Sequence, residues 1–113
     1  MRSPCSLIAA ISVVALAACG TDVDPQCRTS TVTYASFGQG FVLDWCRGCH
    51  SAEASMRQDA PTTVDLDTLD EIRAQSWPII RTTAGSGASM PPAGGPSDAD
   101  REMFIAWMSC GAP

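Results

Sequence analysis

Cys46-Arg47-Gly48-Cys49-His50 gathers two of the chain's six cysteines and its only histidine into five consecutive positions. Two thiols three residues apart, followed at once by an imidazole, have the spacing of covalent haem attachment. Near the end of a helix each thiol can add to one haem vinyl group while the adjacent imidazole turns to the iron. Given this chain's composition, the motif is expected by chance only about 0.003 times. Two other readings stand beside it. A zinc site needs a second ligand pair, and Cys27 and Cys110 stand alone in the sequence. A thioredoxin-like redox pair needs a βαβ setting, which the surrounding helical periodicity does not offer.

Outward from the motif, the first question is the sixth ligand of such an iron. With no second histidine, methionine is the natural donor, and a His/Met pair raises the reduction potential because a thioether favours Fe(II). Met56 follows His50 by only six residues and would have to cross the ring plane almost at once. Met103 and Met108 share a helical face with Phe104 and Trp107, where core packing is their expected role. Met90 stands in Ser89-Met90-Pro91-Pro92, a loop stiffened by two prolines that would fix its sulfur. The expectation is therefore one haem c, held by Cys46 and Cys49, with His50 as proximal and Met90 as distal iron ligand. The alternative is an unligated Met90 beside a five-coordinate iron.

Helical period flanks the motif on both sides. Phe37, Phe41 and Trp45 recur at i, i+4 and i+8, and Ser36 followed by Gln39 is a capping-box signature for the helix start. A second helix is expected from about Asp67, carrying Leu69, Ile72, Ser76 and Ile79 or Ile80 on one side, with a break at Ser76 or Trp77 imposed by Pro78. A third should start at Ser97, where Asp98, Asp100 and Glu102 suit the positive end of the dipole, and end at Gly111. Between the last two, residues 84–97 hold seven Gly or Pro in fourteen positions, which reads as a loop whose one large side chain is Met90. No stretch reads as a sheet, so the expected class is all-α. Gly85-Ser86-Gly87 lacks the third spaced glycine and the preceding strand of a nucleotide loop.

The chain has 113 residues, seven arginines, no lysine and a formal charge of -5. Arginines scattered singly in an acidic chain exclude nucleic acid as a partner. One histidine excludes every site that needs two imidazoles from one chain. Residues 1–18 read as an address: Arg2 is the sole charge before an apolar run from Leu7 to Ala18, too short to span a bilayer comfortably. Leu16-Ala17-Ala18-Cys19 resembles the bacterial lipobox, in which cleavage before the cysteine leaves it N-terminal and lipidated. The alternative is an ordinary secretory signal cut nearby. Cleavage leaves 95 residues with six arginines and twelve acids, anchored at Cys19, with 19–33 as a polar tether and 34–113 as the domain.

From Ser36 to Gly111 the chain resembles the small bacterial class I c-type cytochromes, through its CxxCH, its Met-Pro loop and its closing helix. The resemblance implies three to four short helices wrapped around one covalently bound haem, with the N- and C-terminal helices crossing. It implies that Gly38, eight residues before Cys46, lets those helices approach, and matches Phe104 and Trp107 to the family's aromatic pattern. On the histidine side, a proline carbonyl commonly accepts the imidazole N–H, and Pro61 is the candidate here. Arg47, Arg73 and Arg81 are the basic residues nearest the motif or the Met loop, and Arg81 with Trp77 is the expected propionate partner. If the terminal helices cross as in the family, Cys27 reaches Cys110, and outside the cytoplasm the two would form a disulfide.

The function these readings imply is that of a membrane-anchored one-electron carrier rather than an enzyme. It would sit on the bacterial cell envelope, at the periplasmic side or cell surface, and meet redox proteins through basic docking surfaces. The alternatives are a haem sensor or ligand-binding module with a labile Met90, and an electron-transfer subunit of a larger membrane oxidoreductase.

Overall fold

Five short α-helices carry residues 23–113, the part of the chain described by this computed structural model, and no strand occurs among the described residues. The expected leader 1–18 and Cys19 lie outside the described residues. Helix α1, Pro25–Thr29, starts with Pro25 in its first turn, and the Asp24 carboxylate accepts from the Gln26 amide at 2.8 Å. It buries no side chain of its own. The bond between Cys27 and Cys110, whose Cα atoms are 5.4 Å apart, holds it in place. Within the segment 19–33 expected as a tether, residues 25–29 are thus helical and tied to the end of α5.

A wide π-helical turn, Tyr34–Gly38, runs directly into α2, Gln39–Trp45. Its capping box is formed by Thr33 and Ser36: the Thr33 hydroxyl accepts from the Ser36 amide at 3.1 Å, and the Ser36 hydroxyl accepts from the Thr33 amide at 2.9 Å. Ser36 is thus the inner partner of the box and not the cap, and the helical run begins one turn earlier than the Ser36/Gln39 pattern suggests. Helix α3, Leu69–Ala74, opens on a second box made by Thr68 and Glu71. It breaks at Gln75, one residue before the expected position, and α4 covers Ser76–Thr83. Pro78 then falls in the first turn of α4, where its missing N–H would have had no helical partner.

Helix α5, Asp98–Ser109, is capped by the Ser97 hydroxyl, which accepts from the Asp100 amide. It ends with Gly111 at φ +85°, the Gly111 amide donating to Met108 and the Ala112 amide to Trp107. That pair of bonds is a Schellman closure, and Ala112 packs back into the core beneath it. Arg73 of α3 donates to the carbonyl of Ala112 at 2.9 Å, while the Tyr34 amide and the Trp107 indole both donate to Pro113.

The core joins α2, α3, α4 and α5. Phe104, Trp107, Ile72 and Val42 are essentially inaccessible, and Phe41 stacks on Phe104 with ring centroids 4.1 Å apart. Met108 is buried as packing predicted, but Met103 faces solvent. Gly38 is pressed against the Trp107 ring: a Cβ there would lie 2.5–2.9 Å from three of its atoms. Only glycine permits α5 to approach the start of α2 this closely.

Candidate cofactor site

Beyond Trp45 the chain leaves α2 through overlapping turns, with the amides of Cys46 and Arg47 donating to Val42 and those of Cys49 and His50 to Cys46. These turns bring Cys46, Cys49 and His50 together on a cavity of about 260 Å³ that opens to the surface. Phe41, Val64, Leu66 and Ile79 supply most of its apolar lining, and Met90, Pro91 and Pro92 complete it. Of the methionines among the described residues, Met90 alone lines the cavity; Met56 is exposed, and Met103 and Met108 lie elsewhere.

The His50 ring is held by its Nδ1, 3.0 Å from the Val64 carbonyl oxygen. A carbonyl can only accept, so Nδ1 carries the proton and Nε2 is left with its lone pair for a metal. The expectation of Pro61 as this partner is corrected: the Pro61 carbonyl accepts from Arg57 at 2.7 Å and from the Val64 amide at 3.1 Å. The loop turns back on itself across those residues and presents the carbonyl three positions later. Pro61 still lines the cavity.

The structure does not bring Trp77 and Arg81, expected at a propionate, to the cavity, and Trp77 is 66% exposed. Pro78, Ile79, Thr82 and Thr83 of α4 line it instead, and residues two positions away from Ile79 in either direction point to the far face of the helix. Arg57 is the arginine at the cavity. Its fork is fully occupied: Nη1 donates to the Ser51 carbonyl and the Asp65 carboxylate, Nη2 to Pro61 and Val64, and Nε to Ala60. With five N–H groups and five acceptors, it is a clamp for the loop and has no donor left for a propionate.

Arg47 is engaged as well, both Nε and Nη2 lying 2.8 Å from Asp67 Oδ1. The Ser51 hydroxyl, the Ala52 amide and Arg47 together hold the Asp67 carboxyl below its ordinary range, which fastens the motif to the entry of α3.

Met90 is positioned through its backbone. Its amide donates to the Thr82 carbonyl at 3.0 Å, and its own carbonyl accepts from Arg101 Nη1 at 2.7 Å. Arg101 donates also to Thr83 at 3.2 Å, so it ties the Met loop to the end of α4. Trp45 lies over Gly95, whose φ of +125° and lack of a side chain leave room for the indole. Sequence reasoning missed Arg57, Val64 and Arg101. A backbone acceptor has no side-chain signature, and an arginine that serves carbonyls looks in sequence like any solvated one.

Cys46 and Cys49 are free thiols, half-buried. Burial pushes the Cys46 thiol up to about 12, so it keeps its proton at neutral pH. Disulfide exchange needs a thiolate, and burial disfavours one at Cys46. No group of three or more His, Cys, Asp or Glu that could hold a metal ion occurs among the described residues, which disfavours the zinc reading. The donors that are present fit a flat apolar macrocycle: two thiols for thioethers, an imidazole with a free Nε2, a thioether sulfur, and hydrocarbon walls. Comparison with protein-family models, with curated proteins and with solved structures found no match to this chain.

Proposed function

We propose that this chain is a monohaem c-type cytochrome and acts as a membrane-anchored one-electron carrier. The observation that carries the reading is the convergence on one apolar cavity of both motif thiols, the single histidine with its Nδ1 committed, and one methionine from forty residues further along. Bound there through Cys46 and Cys49, haem c supplies an Fe(III)/Fe(II) couple. His50 Nε2 and Met90 Sδ would hold the iron, and the soft sulfur would favour its reduced state. The Val64 carbonyl orients the imidazole, and Thr82 with Arg101 holds the Met90 backbone, so little in the site has to move when an electron arrives. The apolar lining would limit water around the iron.

Lipidation at Cys19 would confine the carrier to a membrane surface and raise its effective concentration near membrane-bound partners. The acidic character of that form, twelve carboxylates against six arginines, suits partners with basic docking surfaces and an association that weakens with salt.

The test is axial ligation. Membranes from cells expressing the full chain should yield a protein that stains for covalent haem. The ferric form should show the Met-to-iron charge-transfer band, and Met90→Ala should abolish it. The reduced wild type should exclude carbon monoxide. Rapid carbon monoxide binding by the native protein would instead identify a ligand-binding module, and absence of covalent haem would overturn the assignment.

A further inference from the structure

Arg57 and His50 donate to the same oxygen. The Val64 carbonyl accepts from His50 Nδ1 at 3.0 Å and from Arg57 Nη2 at 3.2 Å. Arg57 is held in place for this by the Asp65 carboxylate at 2.7 Å and by three further carbonyls, those of Ser51, Ala60 and Pro61. Its side chain is 17% exposed, so the guanidinium is shielded from bulk water. We propose that Arg57 is a positioning residue that sets the donor strength of the His50 ligand, and with it the reduction potential, by competing for the Val64 carbonyl. The proposal rests on the haem reading above.

The chemistry runs through one bond. A hydrogen bond from Nδ1–H to a carbonyl pushes electron density into the ring and makes Nε2 a stronger donor, which favours Fe(III). A carbonyl that already accepts a charge-assisted bond from a guanidinium has less density to offer the imidazole. The His50 bond is thereby weakened, Nε2 becomes a poorer donor, and Fe(II) gains relative to Fe(III). Arg57 therefore raises the potential. It would do so with all five of its N–H groups committed to acceptors of the protein itself. Its own charge would act in the same direction, but Asp65 partly neutralises it, so the two effects are separable by substitution.

Two variants and one measurement on the wild type test this. Arg57→Lys keeps the charge and cannot reproduce the five-donor fork; Arg57→Gln loses both. Sharing of the carbonyl predicts a negative shift of the potential in both, larger in Arg57→Gln, which also leaves Asp65 without its cation, with the His50 Nδ1 proton moving to lower field as its bond strengthens. If charge alone acted, Arg57→Lys would match the wild type, and that result would overturn the proposal. Retention of the Met-to-iron band shows that each variant keeps its site. Should either variant fail to fold, the reduced wild type decides: NMR couplings through the hydrogen bonds should link the Val64 carbonyl carbon to both His50 Nδ1 and Arg57 Nη2. A coupling to His50 alone overturns the proposal and leaves the carrier assignment standing. A wild type without covalent haem overturns both.

Discussion

At Gly38 one missing carbon decides how closely two helices meet. Placing a methyl group there would drive it against the Trp107 ring, which is 1% exposed and has no room to retreat. Gly38→Ala should therefore destabilise the protein by about 1–3 kcal/mol, as overpacking does, and urea unfolding followed by tryptophan fluorescence measures it. Gly38 is legible in sequence only through the resemblance to small c-type cytochromes, which implies a glycine eight residues before Cys46. The four proposed haem contacts are legible from the residues themselves: spacing selects Cys46, Cys49 and His50, and two prolines single out Met90. The groups that orient those contacts are another matter. Any residue could have supplied the carbonyl that Val64 supplies, and the turn that presents it depends on where Arg57 closes its loop.

At the scale of elements, three helical segments are legible in the sequence and their phases are not. Periodicity leaves Ile79 and Ile80 equally eligible for the inner face of α4. The structure chooses Ile79 with Thr83, one turn apart, and this choice turns Trp77 and Arg81 outward. Helix starts shift for a similar reason, since Thr33 and Ser36 satisfy each other's backbone at a place with no apolar signal. The loop between α4 and α5 looks unconstrained by composition, yet Arg101 stitches it to α4 by donating to carbonyls on both sides of the turn, at Thr83 and Met90. Arg101→Ala should cost about 1–3 kcal/mol, the range for charge-assisted bonds lost from a partly buried site. Amide exchange at Ser89 and Met90 should accelerate more than that of α5, and carbon monoxide should enter the reduced variant faster than the wild type. Unchanged exchange at Met90 would show that the loop holds itself.

For the molecule as a whole, the decisive link is the one between Cys27 and Cys110, 83 positions apart. Closing so long a loop constrains the unfolded chain, and replacing both cysteines by serine should lower stability by up to about 4 kcal/mol in the chain-entropy model. Thermal unfolding of the double variant, with and without reductant, checks this: reductant should move the wild type towards the variant and leave the variant itself unmoved. Polar composition reads residues 19–33 as a tether, and the contact of α1 with the end of α5 leaves no trace in that composition because a covalent bond needs no apolar face. If the chain is anchored as proposed, the same bond would limit how far the domain can travel. With lipid on Cys19, the free lead from bilayer to domain ends at Cys27, eight residues on; at about 3.5 Å per residue it extends no more than roughly 28 Å. A lead running to residue 33 would have been nearly twice as long. Redox partners of the proposed carrier would then have to present their electron entry points within a shallow layer above the lipid, and the search for them would be a lateral one.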